Sequence, residues 1–287
     1  IGGIMSDFGS VGGDVYLVDA ASGQARNVTP GMRLSAASLR WVDNAHVYMA
    51  AHDQGTLELY NLDARNGSIT ALTRGSDAIR SWDAAQHGNR IALIRTSFSE
   101  PPEVYAGAPR ALVQRSHSNA HAVRLWGKAA SLHWNNDGYR VQGWLIYPLA
   151  YDPHKKYPMV TIVHGGPSAE SLPGFGNRFV AALSSRGYVV FEPNPRGSFG
   201  QGEAFTRANV KDFGYGDWRD DLKGVDTALS VAPIDRQRLG LFGWSYGGYM
   251  AMWAETQTTR LKAIVAGAGV VNWQSYYGQN KIDQWMI

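Results

Sequence analysis

The chain has 287 residues, of which 44% are hydrophobic and 18% are charged, and its formal net charge is +3. This composition predicts a packed globular protein rather than a disordered one. The sequence contains no cysteine, which excludes disulfides, thiolate metal sites and a cysteine nucleophile. Because the basic residues form no large cluster and no apolar run approaches the length of a membrane span, we expect neither a nucleic acid nor a membrane as a partner.

The first 125 residues predict short strands that are separated by polar turns, as in the alternating segment 14–19. Three tyrosines recur in similar contexts at separations of 44 and 45 residues, namely Tyr16, Tyr60 and Tyr105. Two tryptophans closely followed by Asp lie 41 residues apart, at Trp41 and Trp82. A period in the low forties is typical of β-propeller blades, and a β-sandwich is the alternative. We therefore predict that residues 1–125 form the C-terminal blades of a β-propeller domain.

From about Leu132 the rhythm changes, and strand-like runs alternate with segments of helix length. The predicted strands are residues 141–147, 159–163, 188–191, 239–242 and 263–266. The predicted helices are residues 179–185, 217–229 and 246–254. This alternation predicts an open, mostly parallel sheet with helices on both faces.

Three carboxylates lie at the start of the predicted helix 217–229. We expect Asp217 to cap this helix, because a negative charge near a helix N-terminus interacts favourably with the helix dipole. Asp220 and Asp221 are expected to form a solvated or cap-supporting face rather than a catalytic site.

The segment 243–247, Gly-Trp-Ser-Tyr-Gly, fits the pattern G-x-S-x-G. The pattern alone is weak evidence, but a strand-like run precedes it and a helix-like segment follows it. Glycines two residues before and after the serine let the strand and the helix approach closely in a strained turn. The serine then stands at a helix N-terminus, where unpaired amides can stabilise an oxyanion. We therefore predict that Ser245 is a catalytic nucleophile and that the amide of Tyr246 is one oxyanion donor.

A second oxyanion donor is expected from a loop that follows an earlier central strand. The segment 164–167, His-Gly-Gly-Pro, follows the predicted strand 159–163 and is therefore the candidate. Glycines suit such a loop, because no side chain then blocks a backbone amide that faces the substrate. His164 precedes the serine and lies on the oxyanion side, so we expect it to shape this loop rather than to act as a base.

Three motifs occur in a fixed order along the chain: HGGP at 164–167, NPRGSFGQG at 194–202 and GWSYGGYM at 243–250. Together they resemble the prolyl oligopeptidase family of serine peptidases, from about residue 131 to the end of the chain. HGGP and NPRGS are most similar to its acylaminoacyl-peptidase-like branch, and GWSYGGY is equally similar to its dipeptidyl peptidase IV branch. The resemblance implies a β-propeller followed by an α/β-hydrolase domain, with residues 126–287 as the N-terminal part of a truncated catalytic domain.

By this resemblance, Ser245 carries the acyl-enzyme, and the amides of Tyr246 and Gly166 form the oxyanion hole. In the dipeptidyl peptidase branch of the family, a tyrosine hydroxyl occupies the position of His164.

The resemblance also implies residues that contact the substrate. Trp273, with Tyr276 or Tyr277, resembles the family's hydrophobic pocket for the residue before the scissile bond, and ordinary core aromatics are the alternative. Arg196 either orients a substrate carbonyl or ties down its own loop.

In this fold the catalytic triad runs Ser, then Asp or Glu, then His, but all 8 histidines precede Ser245. The carboxylates that follow the serine are Glu255 and Asp283. Because a serine hydroxyl without a base is a poor nucleophile, we expect a fragment whose acid and base lie beyond residue 287, with further blades before residue 1. We also expect the apolar sheet edge at 263–266 to be covered by the remainder of the polypeptide or by a homo-oligomer partner.

The sequence therefore predicts a serine peptidase of dipeptidyl or acylaminoacyl type that hydrolyses short peptides, with the propeller restricting access to its site. No cofactor and no metal are expected, and the fragment alone is expected to be inactive. A carboxylesterase with the same serine turn and a non-catalytic binding scaffold of the same architecture are the alternatives. We expect a cytoplasmic protein, with a periplasmic or secreted one as the alternative.

Overall fold

The computed structural model describes residues 1–3 and 10–279 of the chain. The N-terminal half is built from strands, numbered in chain order as β1 Tyr16–Val18, β2 Ala25–Asn27, β3 Ser35–Trp41, β4 His46–Asp53, β5 Thr56–Asp63, β6 Ile69–Ala71, β7 Ala78–Ala84, β8 Ile91–Thr96, β9 Glu103–Ala108 and β10 Ala111–Gln114. The C-terminal half mixes strands and helices, which are β11 Ala129–Asn136, β12 Tyr139–Ile146, β13 Tyr157–Val163, α1 Arg178–Ser184, β14 Val189–Asn194, α2 Glu203–Thr206, α3 Gly216–Val231, β15 Ile234–Trp244, α4 Tyr246–Gln257, β16 Leu261–Gly267 and α5 Trp273–Tyr277. Each strand and helix that the sequence pattern predicts overlaps one of these elements.

The N-terminal strands form two antiparallel meanders of the same design, β3 to β6 and β7 to β10, which follow the hairpin β1–β2. The meanders are joined by one parallel residue pair between β5 and β7. In β3 the register shifts between Ala36 and Ser38, and β7 has the same shift between Ile79 and Ser81, 43 residues later. The two meanders therefore repeat one structural unit.

The aromatic repeat of the sequence falls on equivalent strands of these meanders. Trp41 and Trp82 lie in the first strands, β3 and β7, and Tyr60 and Tyr105 lie in the third strands, β5 and β9. Tyr16 begins β1, the first strand of the preceding hairpin. The sequence repeat thus corresponds to a repeat of strand order.

The C-terminal strands form one six-stranded sheet in the order β11-β12-β14-β13-β15-β16. β13 to β16 run parallel to one another, whereas β11 and β12 are antiparallel to their neighbours. Helix α1 packs on one face, near Ile146 and Val190, and helices α3 and α4 pack on the other, near Phe191 and Leu241. Every residue of β14 is buried, whereas β13 alternates between buried and half-buried residues, because successive side chains point to opposite faces of the sheet. This is the predicted open, mostly parallel sheet.

The prediction that Asp220 and Asp221 form a solvated or cap-supporting face is wrong, and so is the prediction that Asp217 caps α3. Asp217, Asp220 and Asp221 are all fully buried, and the N-cap of α3 is Tyr215 rather than Asp217. The spacing of these residues places them on the helix face that also carries Val225, which packs on the sheet. That helical periodicity was the sequence signal for burial. Donors from distant segments compensate two of the three buried carboxylates.

Strand β16 is the terminal strand of the C-terminal sheet in the described part of the chain. None of its side chains is fully buried, and Val265 is 58% exposed. Trp244 on the neighbouring strand is 60% exposed. The apolar sheet edge that the sequence predicts is therefore exposed in the structure.

Candidate active site

Ser245 lies in the turn between β15 and α4, at the N-cap of α4. Its backbone has φ 59° and ψ −118°, a strained conformation that residues with side chains rarely adopt. Its amide donates to the carbonyl of Gly267 at 2.9 Å, and its carbonyl accepts from the amide of Tyr249 at 3.0 Å. The residue itself is exposed. The turn therefore presents an accessible serine at a helix N-terminus, as an acyl-transfer nucleophile requires.

Glycines let the strand, the helix and a neighbouring loop meet at this turn. A Cβ atom added to Gly243 would collide with the carbonyl of Gly247, and one added to Gly247 would collide with the carbonyl of Val163. A Cβ atom at Gly165 would lie 3.3 Å from Cβ of Ser245 and 3.8 Å from its Oγ. The loop after β13 therefore lies directly beside the serine, where a second oxyanion donor is needed.

The predicted second donor, Gly166, follows in the same loop. Its φ is 127°, a value that glycine adopts readily and other residues do not. A Cβ atom at this position would approach the backbone nitrogen of Ser168 to 2.6 Å. The loop can therefore follow this path only with glycine at position 166.

His164 is half-buried and is held at both ring nitrogens. Nδ1 lies 2.7 Å from the carbonyl oxygen of Gly165, and Nε2 lies 3.0 Å from Oγ of Ser198. Because a carbonyl only accepts, Nδ1 carries the proton. Burial lowers the pKa of His164, so the ring is neutral near pH 7 and Nε2 accepts from Ser198. His164 therefore joins the HGGP loop to the NPRGSFGQG loop, and its basic nitrogen is already occupied.

Arg196 is 5% exposed and is bound by carboxylates. Its Nε and Nη2 donate to the two oxygens of Asp220 at 2.8 and 2.7 Å, and its backbone amide donates to the same carboxylate at 2.9 Å. Nη2 also donates to Asp137 at 3.0 Å. These hydrogen bonds and the nearby carboxylates raise the pKa of Arg196. Of the two roles considered for Arg196, the geometry favours anchoring its own loop.

Asp217, which the sequence predicts only as a helix cap, lies buried behind the serine turn. Asp217 accepts a short hydrogen bond from the hydroxyl of Tyr246, and it also accepts from the amides of Gly214 and Trp218, each at 2.9 Å. Burial raises the pKa of Asp217 to about 6, and these three donors oppose the increase. Asp217 thereby ties the side chain of the residue after the serine to helix α3.

The predicted pocket aromatics lie beside the serine turn. Trp273 is half-buried, and its ring centroid lies 6.0 Å from that of Tyr246 and 5.0 Å from that of Phe213. Tyr276 is half-buried against Trp273, with the ring centroids 6.1 Å apart, and Tyr277 is 43% exposed. The structure therefore brings Trp273 and Tyr276 to the turn and leaves Tyr277 at the surface.

Within residues 1–3 and 10–279, no hydrogen bond joins Oγ of Ser245 to a histidine. Glu255 is exposed on α4, and Asp283 lies outside the described residues. The described part of the chain also has no group of three or more His, Asp or Glu side chains that would hold a metal ion. In that same part, no helix combines the length and apolar character that a membrane span needs.

Comparison with known protein families gives a match over the C-terminal part of the chain. Residues 175–287 match the model of the prolyl oligopeptidase family. This range includes the NPRGSFGQG and GWSYGGYM motifs and begins after the HGGP loop. The resemblance to this family is confirmed.

Curated relatives match almost the whole chain. The chain is 30% identical over 278 residues to the uncharacterized peptidase YuxL of Bacillus subtilis (strain 168). This alignment covers 94% of this chain and 41% of that protein. The chain is also 26% identical over 280 residues to dipeptidyl-peptidase 5 of Porphyromonas gingivalis. This alignment covers 94% of this chain and 40% of that protein. The chain thus spans about two fifths of the length of these relatives.

Solved structures of peptidases match the fold. An acylaminoacyl peptidase in complex with Z-Gly-Gly-Phe-chloromethyl ketone matches with a TM-score of 0.83 and 27% identity, covering 95% of this chain and 43% of that one. The uncomplexed acylaminoacyl peptidase of Pyrococcus horikoshii matches with a TM-score of 0.81 and 26% identity, with the same coverage. Together with the observed sheet, these matches support a partial α/β-hydrolase domain, as predicted.

Proposed function

We propose that this chain is part of a serine peptidase of the prolyl oligopeptidase family, in which Ser245 forms the acyl-enzyme. The observation that carries the proposal is the strained turn that exposes Ser245 at the N-terminus of α4, with the glycine loop after β13 beside its hydroxyl. The family match over residues 175–287 and the peptidase names of the relatives support this reaction class.

In the proposed reaction, Oγ of Ser245 attacks the carbonyl carbon of the scissile peptide bond and transfers its proton to a base. The backbone amides of Tyr246 and Gly166 stabilise the oxyanion of the tetrahedral intermediate. The C–N bond then breaks, the base protonates the leaving amine, and water hydrolyses the acyl-enzyme. His164 does not supply the base, because its proton-accepting nitrogen is bound to Ser198. We place the triad Asp and His beyond residue 287.

We propose short peptides as substrates. One relative is named a dipeptidyl-peptidase and one structural match is an acylaminoacyl peptidase, so either a free or an acylated N-terminus fits the proposal. Trp273 and Tyr276, with Tyr277 at the surface, would form an apolar pocket for the residue before the scissile bond. Arg196 would keep the NPRGSFGQG loop in place rather than contact the substrate.

We further propose that residues 1–125 are β-propeller blades that restrict access to the site. The hairpin β1–β2 would be the last two strands of one blade, and the two meanders would be the following blades. The shared register shifts in β3 and β7 support this assignment. Residues 126–287 would then form the N-terminal part of the catalytic domain.

The test is labelling of the intact protein that contains this chain with a fluorophosphonate probe, followed by mass spectrometry of the modified peptide. We expect one adduct on Ser245, no adduct in Ser245→Ala, and normal labelling in Ser230→Ala, which alters an exposed serine on α3. An unlabelled Ser245 in the intact protein would leave only a non-catalytic scaffold.

A substrate panel separates the two enzyme hypotheses. We expect the labelled protein to cleave short peptide substrates, both free and N-acylated forms being tested. Hydrolysis of ester substrates alone would instead identify a carboxylesterase. The isolated 287-residue chain is expected to show no significant turnover of either substrate class, since no residue in the described part of the chain supplies a base to Ser245.

A further inference from the structure

At the end of the loop that begins with HGGP, three consecutive residues are held by hydrogen bonds to other segments. The carbonyl of Ala169 accepts from the amide of Phe199 at 2.9 Å. The amide of Ser171 donates to Oδ1 of Asn194 at 2.6 Å, and Nδ2 of Asn194 donates to the carbonyl of Ser171 at 3.2 Å. Between these two residues stands Glu170. We call residues 164–171 the oxyanion loop.

The side chain of Glu170 contacts the N-terminal strands, at the end of β4 and in the turn between β4 and β5. It has 0% exposure, and its Oε2 lies 2.7 Å from Nδ1 of His52 at the end of β4. Its Oε1 accepts from the amide of Gly55 in the turn between β4 and β5. Burial raises the pKa of Glu170, and both contacts oppose this effect. Glu170 therefore connects the two halves of the chain strongly, because loss of either donor would leave a buried carboxylate oxygen without a hydrogen bond.

The same turn contacts the second active-site loop. The amide of Gln54 donates to the carbonyl of Gly200 at 3.0 Å, and the amide of Gly200 donates to Oγ of Ser35 in β3 at 2.9 Å. Nε1 of Trp144 donates to the carbonyl of Gly55 at 3.1 Å. The β4–β5 turn therefore fits between the oxyanion loop, the NPRGSFGQG loop and β12.

The turn is closely packed around Gly55 and His52. Gly55 has φ +90°, and a Cβ atom there would collide with the side chain of Gln142, which is itself buried. The ring of His52 lies 5.2 Å from that of Phe199, measured between centroids. Displacement of the turn would thus disturb buried groups on several elements at once.

We propose that Glu170 is a positioning residue that uses the β4–β5 turn of the N-terminal strands to hold the oxyanion loop in its productive conformation. The proposal rests on the proposed function, because Gly166, four residues earlier, is the donor that the loop would present to the oxyanion. The loop has no regular secondary structure between the end of β13 and Glu170. Its path is therefore set at one end by a strand and at the other by the hydrogen bonds of residues 169–171.

The kinetic signature follows from this role. A misplaced oxyanion donor weakens binding of the transition state more than binding of the substrate, so kcat should fall while KM changes little. Loss of one oxyanion donor costs about 100-fold or more in kcat, and partial misplacement should cost about 10- to 100-fold. A merely structural contact between the two halves would lower thermal stability without this selective loss of kcat.

The test uses the intact protein and the variants Glu170→Ala, Glu170→Gln, His52→Ala and the double variant Glu170→Ala/His52→Ala. We expect kcat and the fluorophosphonate labelling rate to fall about 10- to 100-fold in Glu170→Ala. Glu170→Gln should recover part of the loss, because its amide oxygen can still accept from Gly55. His52→Ala should cause a smaller loss, and the double variant should lose less than the product of the single effects.

The matched control is His46→Ala. His46 begins the same strand and makes the same kind of contact, with Nδ1 2.8 Å from Asp43, but it lies far along β4 from the turn and the pair is exposed. It should leave kcat and the labelling rate unchanged. Unchanged kcat and labelling in Glu170→Ala, or a loss that appears only as raised KM or lowered melting temperature, would overturn the inference. Absence of labelling in the wild-type protein would instead reject the proposed function.

Discussion

The serine turn and the oxyanion loop adjoin each other, but they are held in different ways. The serine turn, residues 243–247, is fixed by the close approach of its own strand and helix, which glycines make possible. The oxyanion loop is fixed by side chains that come from distant segments, including Ser198, Asn194 and His52. The close packing of the serine turn requires a short local motif in the sequence. The support of the oxyanion loop requires single residues that no local pattern identifies.

This difference predicts how the two regions respond to substitution. The serine turn should fail when volume is added, because backbone atoms fill the space around its glycines. The supports of the oxyanion loop should fail when a polar partner is removed, because a buried donor or acceptor is then left unpaired. Three changes test the contrast, in order of the expected loss of unfolding free energy. The first acts on the NPRGSFGQG loop, whose Asn194 and Ser198 hold the oxyanion loop.

Removal of the negative charge of Asp220 should have the largest effect. In Asp220→Asn, the buried guanidinium of Arg196 loses its main partner, and we expect the unfolding free energy to fall by about 3 to 5 kcal/mol. Urea unfolding followed by tryptophan fluorescence measures this loss. Asp226→Asn is the control on the same helix, since its ion pair with Arg260 is largely exposed and should contribute less than about 1 kcal/mol. Similar losses in both variants would contradict the assigned role of Asp220.

Added volume in the serine turn should have the next largest effect. In Gly243→Ala, the new methyl group collides with the carbonyl of Gly247, so the strand and the helix must separate. We expect a loss of about 3 kcal/mol, at the upper end of overpacking effects. Gly278→Ala is the control, because nothing lies within 4 Å of a Cβ atom there. A fully stable Gly243→Ala variant would show that the turn is not closely packed.

The smallest expected effect comes from removing the hydrogen bond between Tyr246 in the serine turn and Asp217. At pH 8, where Asp217 is ionised, Tyr246→Phe removes a donor to a buried carboxylate and should cost about 2 kcal/mol. At pH 5, below the raised pKa of about 6, Asp217 is protonated and the cost should be about 1 kcal/mol. Tyr249→Phe removes a hydrogen bond to the backbone carbonyl of Phe213 and should cost about 1 kcal/mol at both pH values.

The sign of the pH dependence follows from burial. The folded pKa of Asp217 lies above its ordinary value of 3.8, so between about pH 4 and pH 6 the folded state binds more protons than the unfolded state. The contribution of Asp217 to stability therefore falls as the pH rises through this window. Without Tyr246, the pKa of Asp217 rises further and the decline extends to higher pH. Equal costs of Tyr246→Phe at pH 5 and pH 8 would contradict this account.

The sequence by itself determined the order of elements and the place of the serine turn. Period-two alternation marked the strands, the repeat of aromatic residues marked equivalent strands of the two meanders, and glycines around Ser245 marked a strand-to-helix turn. Each of these constraints acts between neighbours along the chain or between repeated units, so each leaves a regular pattern in the sequence.

Only the tertiary structure decided which donors compensate the buried carboxylates and what holds the oxyanion loop. Asp220 binds Arg196, which lies 24 positions away in the sequence, and Glu170 contacts His52, which lies 118 positions away. A carboxylate is expected in water unless donors compensate its burial, and donors this distant leave no periodic signal. The local geometry of the serine turn is therefore readable from the sequence, whereas the support of the loop beside it depends on how the two halves of the chain pack together.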